Sequence, residues 1–175
     1  MATLRKGKCY RHITRPYTRK SKFQKKGYIK AIPNKKVVRF DMGEATKNFG
    51  FEVTIVSKVP HQIRHNALES ARRVINKELQ DGAGLIGYHL KLRTYPHQAL
   101  RENKMLSGAH ADRLQTGMAH SFGKVVGIAA VIKRGQKIFS ARVDKENLEL
   151  AKRALQKAVP RLPGTYTITA QKVAS

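Results

Sequence analysis

YHLKLRTY, residues Tyr88 to Tyr95, alternates without a break: Tyr88, Leu90 and Leu92 point to one side of an extended chain, and His89, Lys91 and Arg93 point to the other. Such a segment reads as a strand with one face in a core and a second, basic face. Before it stand Gly82, Gly84 and Gly87, and before those the stretch from Pro60 to Gln80, in which Ile63, Ala67, Ala71, Val74, Ile75 and Leu79 recur at spacings of three and four. That stripe predicts an amphipathic helix opened by Pro60, with Arg73 and Lys77 on its other side.

Reading outward, KVVRFD (36–41) and FEVTIVSK (51–58) are rich in β-branched and aromatic residues and predict two more strands, with Gly43 and Gly50 marking the turn region between them. Downstream, Val125 to Ile132 and Ile138 to Val143 predict a hairpin about Arg134 and Gly135. Asp144 stands where an N-cap belongs and Glu146 and Glu149 fall in the first turn. Leu148, Ala151, Leu155 and Ala158 supply the stripe of a second helix, which Pro160 stops. TYTITA (165–170) predicts a last strand. The expected fold class is α+β: a mixed β-sheet with two helices packed on it, a single domain over residues 36–175, and no internal repeat.

Thirty-six Lys and Arg face eleven Asp and Glu, a net charge of +25, where about 2–8 is enough to keep a small domain soluble. A polyanion is the partner this excess calls for, since phosphates neutralise many cations at once and release counterions. No apolar run approaches the ~18 residues that cross a bilayer, and the opening MATLRKGK lacks the apolar segment of a signal peptide, so no membrane partner and an intracellular location are expected. Residues 1–40 hold fourteen Lys or Arg and no acid. They predict a basic N-terminal arm over residues 1–35, extended or disordered when alone, whose Tyr10, Tyr17, Phe23 and Tyr28 suit stacking on bases. Cys9, the only cysteine, is expected to be a small packed thiol.

Motifs that could carry catalysis fail on context. Gly82, Gly84 and Gly87 match G-x-G-x-x-G, but they follow a helix and open a strand, the reverse of a dinucleotide site; a helix C-cap and turn is the reading. Gly117 and Gly123 before Lys124 have the wrong spacing for a phosphate loop, and Val125 replaces its hydroxyl. His61 and His65 would share a helix face, but Gln62 stands where a metalloprotease carries its Glu. They read better as helix-surface histidines that touch RNA. His110 with Asp112 has no second carboxylate pair to make a metal-dependent nuclease, because Glu102 and Asp112 are the only acids nearby. The expectation is no enzyme, no catalytic residue, no metal and no cofactor.

What remains is KMLSGAHADRLQTGMAHSFGK, residues 104–124, within a loop over about 97–123 that has neither helical nor strand periodicity. Loops longer than about 12–15 residues are usually functional. Cations, amides, hydroxyls and glycines here suit an RNA-contacting finger. These residues also resemble a known family, the archaeal and eukaryotic large-subunit ribosomal proteins called "L-ten-e", whose bacterial counterpart is "L-sixteen". The likeness runs over nearly the whole chain: Cys9-Tyr10-Arg11, Pro16-Tyr17, Phe40-Asp41-Met42-Gly43, Asn66-Ala67-Leu68-Glu69, and most specifically Lys104-Met105-Leu106-Ser107, Ala111 to Met118 (ADRLQTGM) and Phe122-Gly123-Lys124. The chain departs from the family pattern at His110, where glycine is common, and at Ala119-His120, where Arg-Gly is usual. Ending at Ser175, it resembles the archaeal members.

The resemblance implies a structural constituent of the large ribosomal subunit, in the cytoplasm, with large-subunit rRNA, tRNA acceptor ends and neighbouring ribosomal proteins as partners and no homo-oligomer. Its loop would reach toward the peptidyl-transferase centre, near A-site and P-site tRNA. Carried over, Lys104, Met105, Ser107, His110, Arg113, Gln115, Thr116 and Met118 are the loop residues expected there. The rRNA-binding residues expected in the arm are Arg5, Lys6, Lys8, Arg11, Arg15, Arg19, Lys20, Lys22, Lys25 and Lys26, joined by Lys91, Arg93 and Lys124 in the domain. The alternative resting on the same charge is an architectural nucleic-acid-binding protein outside the ribosome.

Overall fold

The computed structural model describes residues 5–13, 29, 33–105 and 117–173. The class is α+β, with two helices packed on β-sheet, as the hydrophobic pattern predicts. The strands are β1 (Asp41–Gly43), β2 (Phe51–Ser57), β3 (His61–Arg64), β4 (Tyr88–Leu92), β5 (Gln98–Glu102), β6 (Lys124–Ile132), β7 (Lys137–Val143) and β8 (Tyr166–Lys172). The helices are α1 (His65–Ala83) and α2 (Leu148–Ala158). A five-stranded sheet has the order β1-β4-β7-β2-β8 and a three-stranded sheet the order β3-β6-β5. Every pairing is antiparallel.

The alternation of β4 survives intact, with Tyr88, Leu90 and Leu92 buried on the inner face. Val53 and Ile55 of β2 and Phe139, Ala141 and Val143 of β7 join them, and Leu68, Ala71, Ile75 and Leu79 of α1 and Ala151, Ala154, Leu155 and Ala158 of α2 close over the top. The α2 stripe is the expected one with Ala154 added. A Cβ on Gly43 would lie 2.2 Å from the Tyr88 carbonyl oxygen, and its φ of 80° is open to glycine, so β1 can approach β4 only with glycine there. Gly84 caps α1 with φ 69°, its N–H donating to Gln80 O, so the glycine triplet is indeed a C-cap and turn.

Three expectations are corrected. Pro60 does not open a helix: His61–Arg64 is captured by β6, His61 opposite Ile132 and Arg64 opposite Ala129, and α1 begins only at His65. Ile63 is still core, but from a strand, and Leu68 takes the place in the helical stripe. The turn at Arg134-Gly135 exists, yet β6 and β7 lie in different sheets. Gly135 N–H donates to Ser57 O and Ser57 N–H donates to Gln136 O, so the turn is fastened to the end of β2 instead of closing a hairpin. Finally, Asp144 makes no side-chain cap; a 3-10 turn at Lys145–Asn147 precedes α2, and Asp144 pairs with Lys47 at 2.8 Å.

Ile75 is fully buried between α1 and the sheet. Ile75→Ala should cost about 2–5 kcal/mol of unfolding free energy, read from urea midpoints. His65 offers a pH test. Burial, then the charges of Lys36 and Arg64, hold its pKa below 6.5, and the neutral Nδ1 accepts the Lys36 backbone N–H at 3.2 Å. A folded value below the unfolded one gives stability that is whole above pH 6.5 and is lost as pH falls through the lowered folded value. Urea midpoints should therefore drop between about pH 7 and 5, and less steeply in His65→Gln.

Candidate nucleic-acid interface

The outer face of the five-stranded sheet carries the residues that alternate with the core. Lys91 and Arg93 are there, as the alternation predicts, but they are not free. Asp41 on β1 lies opposite Lys91 in register and takes Lys91 Nζ at 3.4 Å and His89 Nε2 at 3.1 Å. Glu52 on β2 collects Arg93 at 2.8 Å, Lys137 at 3.3 Å and Arg142 at 3.7 Å. Burial alone would raise the Glu52 carboxyl; the hydrogen bonds and charges of Lys137 and Arg93 outweigh it and hold it below the usual carboxylate range. Lys91, Arg93, Lys137 and Arg142 against Asp41 and Glu52 leave this face a surplus of two positive charges, basic but locally matched.

The three-stranded sheet holds the other elements. Ile63, Ala130 and Ile132 turn one of its faces into the main core. The opposite face, with Leu100 and Ala129, is covered by Tyr10 from the N-terminal arm. Residues 5–13 are thus docked on the protein: Gln62 N–H donates to Arg11 O, the Gln62 amide to His12 O and Arg64 to Arg5 O, while Arg64 also sits over the Tyr10 ring. Tyr10 is spent on protein packing and is no base-stacking platform. The 3-10 turn Gly7–Tyr10 that aims Tyr10 inward leaves Cys9 exposed, against the expectation of a packed thiol. Lys6, Lys8 and Arg11 are exposed along this docked segment. Arg5 is exposed too, but it pairs with Glu102 at 2.8 Å. Arg15, Arg19, Lys20, Lys22, Lys25 and Lys26, with Tyr17, Phe23 and Tyr28, lie outside the described residues.

The expected loop starts later than its composition implies. Gln98–Glu102 is a strand, β5, paired with β6 from Gln98 opposite Ala129 to Glu102 opposite Lys124. The connection 103–123 therefore leaves from a two-stranded stem. Its base is tied across: Asn103 donates to Gly117 O at 3.4 Å and His120 O at 3.3 Å, and Arg101 donates to Gly123 O at 2.8 Å while lying 4.2 Å from the Phe122 ring centroid. A Cβ on Gly123 would stand 2.2 Å from the Glu102 carbonyl carbon, so only glycine lets the two sides of the stem approach this closely. Lys104 and Lys124 are exposed beside the stem. Met105 and Met118 are exposed on either side of the tip, at 60% and 59%. Ser107, His110, Arg113, Gln115 and Thr116 lie outside the described residues, as does Asp112.

The two histidines of the stretch before α1 do not share a helix face and do not face outward. His61 is buried between Val59 O, 2.8 Å from Nδ1, and the Tyr166 hydroxyl, 2.7 Å from Nε2; His65 is buried against Lys36. Among the described residues no three His, Cys, Asp or Glu side chains gather to hold a metal ion. No helix among them is long and apolar enough to cross a membrane.

Sequence reasoning missed β5, Tyr10 as a core residue, and the cations Lys36, Arg64, Arg73 and Arg161 that surround the N-terminal half of α1. QALRE has helix-forming composition, and only its partner β6 makes it a strand. For β3, the alternation of buried His61 and Ile63 with half-buried Gln62 and Arg64 was the available signal.

Comparison with known proteins fits this arrangement. A family described as "Ribosomal protein L16p/L10e" matches residues 15–169. The chain is similar to the large ribosomal subunit protein uL16 of Methanococcus aeolicus, 50% identical over 161 residues, spanning 91% of this chain and 90% of that protein. The protein of the same name from Methanococcus maripaludis is 45% identical over 170 residues, 97% of this chain and 95% of its own. That of Metallosphaera sedula is 46% identical over 163 residues, 91% and 90% respectively.

The docking of the arm is testable. Tyr10→Ala should lower hydrogen-exchange protection of the Gln62 amide, whose acceptor is Arg11 O, by about tenfold or more while core amides of β2 keep theirs. Unchanged protection at Gln62 would show that Tyr10 does not hold the arm.

Proposed function

The chain belongs to the L16p/L10e family of ribosomal proteins and is a structural, non-enzymatic constituent of the large ribosomal subunit; from that premise we propose that it binds large-subunit rRNA and presents its 103–123 loop to the acceptor ends of A-site and P-site tRNA beside the peptidyl-transferase centre. The observation that carries the reading is the pinned stem. Asn103 and Arg101 close the base of the loop by hydrogen bonds, while Met105 and Met118 beyond it stay exposed. A loop of this length that is fixed at its root and turned away from its own core is suited to reach a partner.

In this reading Lys6, Lys8, Arg11, Lys91, Arg93 and Lys124 contact rRNA together with Arg5 and the arm cations Arg15, Arg19, Lys20, Lys22, Lys25 and Lys26. Lys104, Met105, Ser107, His110, Arg113, Gln115, Thr116 and Met118 stand near tRNA and the rRNA of the active site. Cations neutralise phosphates and fix orientation; the thioethers offer soft apolar surface to ribose and base. The protein supplies position and charge, and no step of chemistry is its own. Neighbouring ribosomal proteins are further partners, and the site of action is the cytoplasm.

Binding to a large-subunit rRNA transcript should weaken steeply with salt, because each phosphate contact adds about 0.7–0.9 to the slope of log K against log salt. A slope near one, or equal competition by duplex DNA, would count against rRNA as the partner. Photocrosslinkers placed at Met105 and Met118 in assembled large subunits should label tRNA acceptor ends or the adjacent rRNA; labels elsewhere would refute the placement of the loop.

A further inference from the structure

One strongly positive surface is used neither by the sheet face nor by the arm and loop. It runs along the outward side of the first half of α1. At one end, Lys36, Arg73 and Arg161 line a hollow of ≈ 380 Å³ with Asn66 and Ser70. At the other, Arg11, Arg64 and Arg161 line a second of ≈ 200 Å³ with Gln62. Arg161 lines both, so the two form one groove across the 3-10 turn Val159–Arg161.

Three features make it an anion site. First, the carboxylate of the groove is already satisfied: Glu69 is buried and takes Arg72 through two N–H donors at 2.7 and 2.8 Å and Arg73 at 2.9 Å. Hydrogen bonds from Arg72, against a burial cost, and then from Arg73 hold its carboxyl below the usual range, so it stays charged yet has little left for further cations. Second, among the described residues neither Lys36 Nζ nor the Arg161 guanidinium makes a hydrogen bond or ion pair, in contrast to Lys91 and Arg93 on the sheet. Third, the first turn of α1 carries no acidic residue, leaving the positive end of its dipole unopposed beside Arg64.

We infer that the groove crossing Arg161 binds the phosphate backbone of RNA, using Lys36, Arg73 and Arg161 at one end and Arg11 and Arg64 at the other. The inference rests on the rRNA reading above and adds a contact surface that reading leaves out. RNA backbone is favoured over a single small anion because the cations are spread along an open groove and not gathered about one point. Arginine's planar fork then suits phosphate oxygens at each step.

The test uses the full-length protein and a large-subunit rRNA transcript. Lys36→Gln, Arg73→Gln and Arg161→Gln are combined and compared with a control of equal charge loss at the exposed residues Lys133, Arg134 and Lys145. The groove variant should lower the salt slope by about two, at about 0.7–0.9 per lost phosphate contact, and the control should leave it within about 0.3 of wild type. Circular dichroism and thermal melts verify the fold. Arg161→Gln alone, at an exposed side chain, gives a smaller drop of about 0.7–0.9 that Arg161→Lys restores. An unchanged slope in a folded groove variant, or an equal drop in the control, overturns the inference while leaving wild-type rRNA binding intact; absence of wild-type binding overturns the rRNA reading itself. Should the groove variant bind naked rRNA normally but fail to enter large subunits, the groove meets an acidic protein and the RNA assignment is wrong.

Discussion

Two backbone hydrogen bonds at Ser57, one donated by Gly135 and one accepted by the Gln136 carbonyl, hold the corner on which this structure depends. Here β2 runs on into β3 and β6 into β7, and both connections pass from one sheet to the other. The five-stranded sheet takes both helices on its inner face and so becomes the stable body of the domain. The three-stranded sheet is left with the long loop and with a face that has no helix to cover it. That division puts the packing on one sheet and the presentation on the other.

The uncovered face explains why part of a highly basic arm is ordered at all. Eleven acids cannot neutralise thirty-six cations, and an acid-free segment has little reason to fold against a positive protein. Tyr10 supplies that reason by burying its ring on Leu100 and Ala129, and Arg5 adds an ion pair with Glu102. Glu102 is the last residue of β5, next to Asn103 at the loop base. The start of the arm and the root of the loop are therefore fastened to the same strand end, a direct mechanical link between two elements far apart in sequence.

Charge is distributed unevenly once the chain is folded. On the sheet face the two carboxylates Asp41 and Glu52 are surrounded, and the cations there are oriented by protein partners before any ligand arrives. Along α1 the only carboxylate is withdrawn into Arg72 and Arg73, and Lys36 and Arg161 are left to solvent. Exposed matched pairs contribute little to stability, and competition from their partner weakens their grip on a phosphate. Unmatched cations lose nothing when they bind.

The sequence by itself determined the elements whose periodicity is strong and local. The alternation in β4, the stripe of α2, the C-cap at Gly84 and the segment too poor in apolar residues to pack were all legible, because each is decided by neighbours within a few residues. The RNA-facing loop could be named for the same reason, together with its resemblance to a family. Only the tertiary structure decided what Gln98–Glu102 and His61–Arg64 would be, since QALRE and HQIR become strands through β6 and not through their own propensity. Nor could a linear reading separate Lys91, matched by Asp41, from Arg161, which is not, or bring Arg11, Lys36, Arg64, Arg73 and Arg161 into one groove. Composition counts charges, but whether a charge is spent or available depends on distances that exist only after the chain has folded.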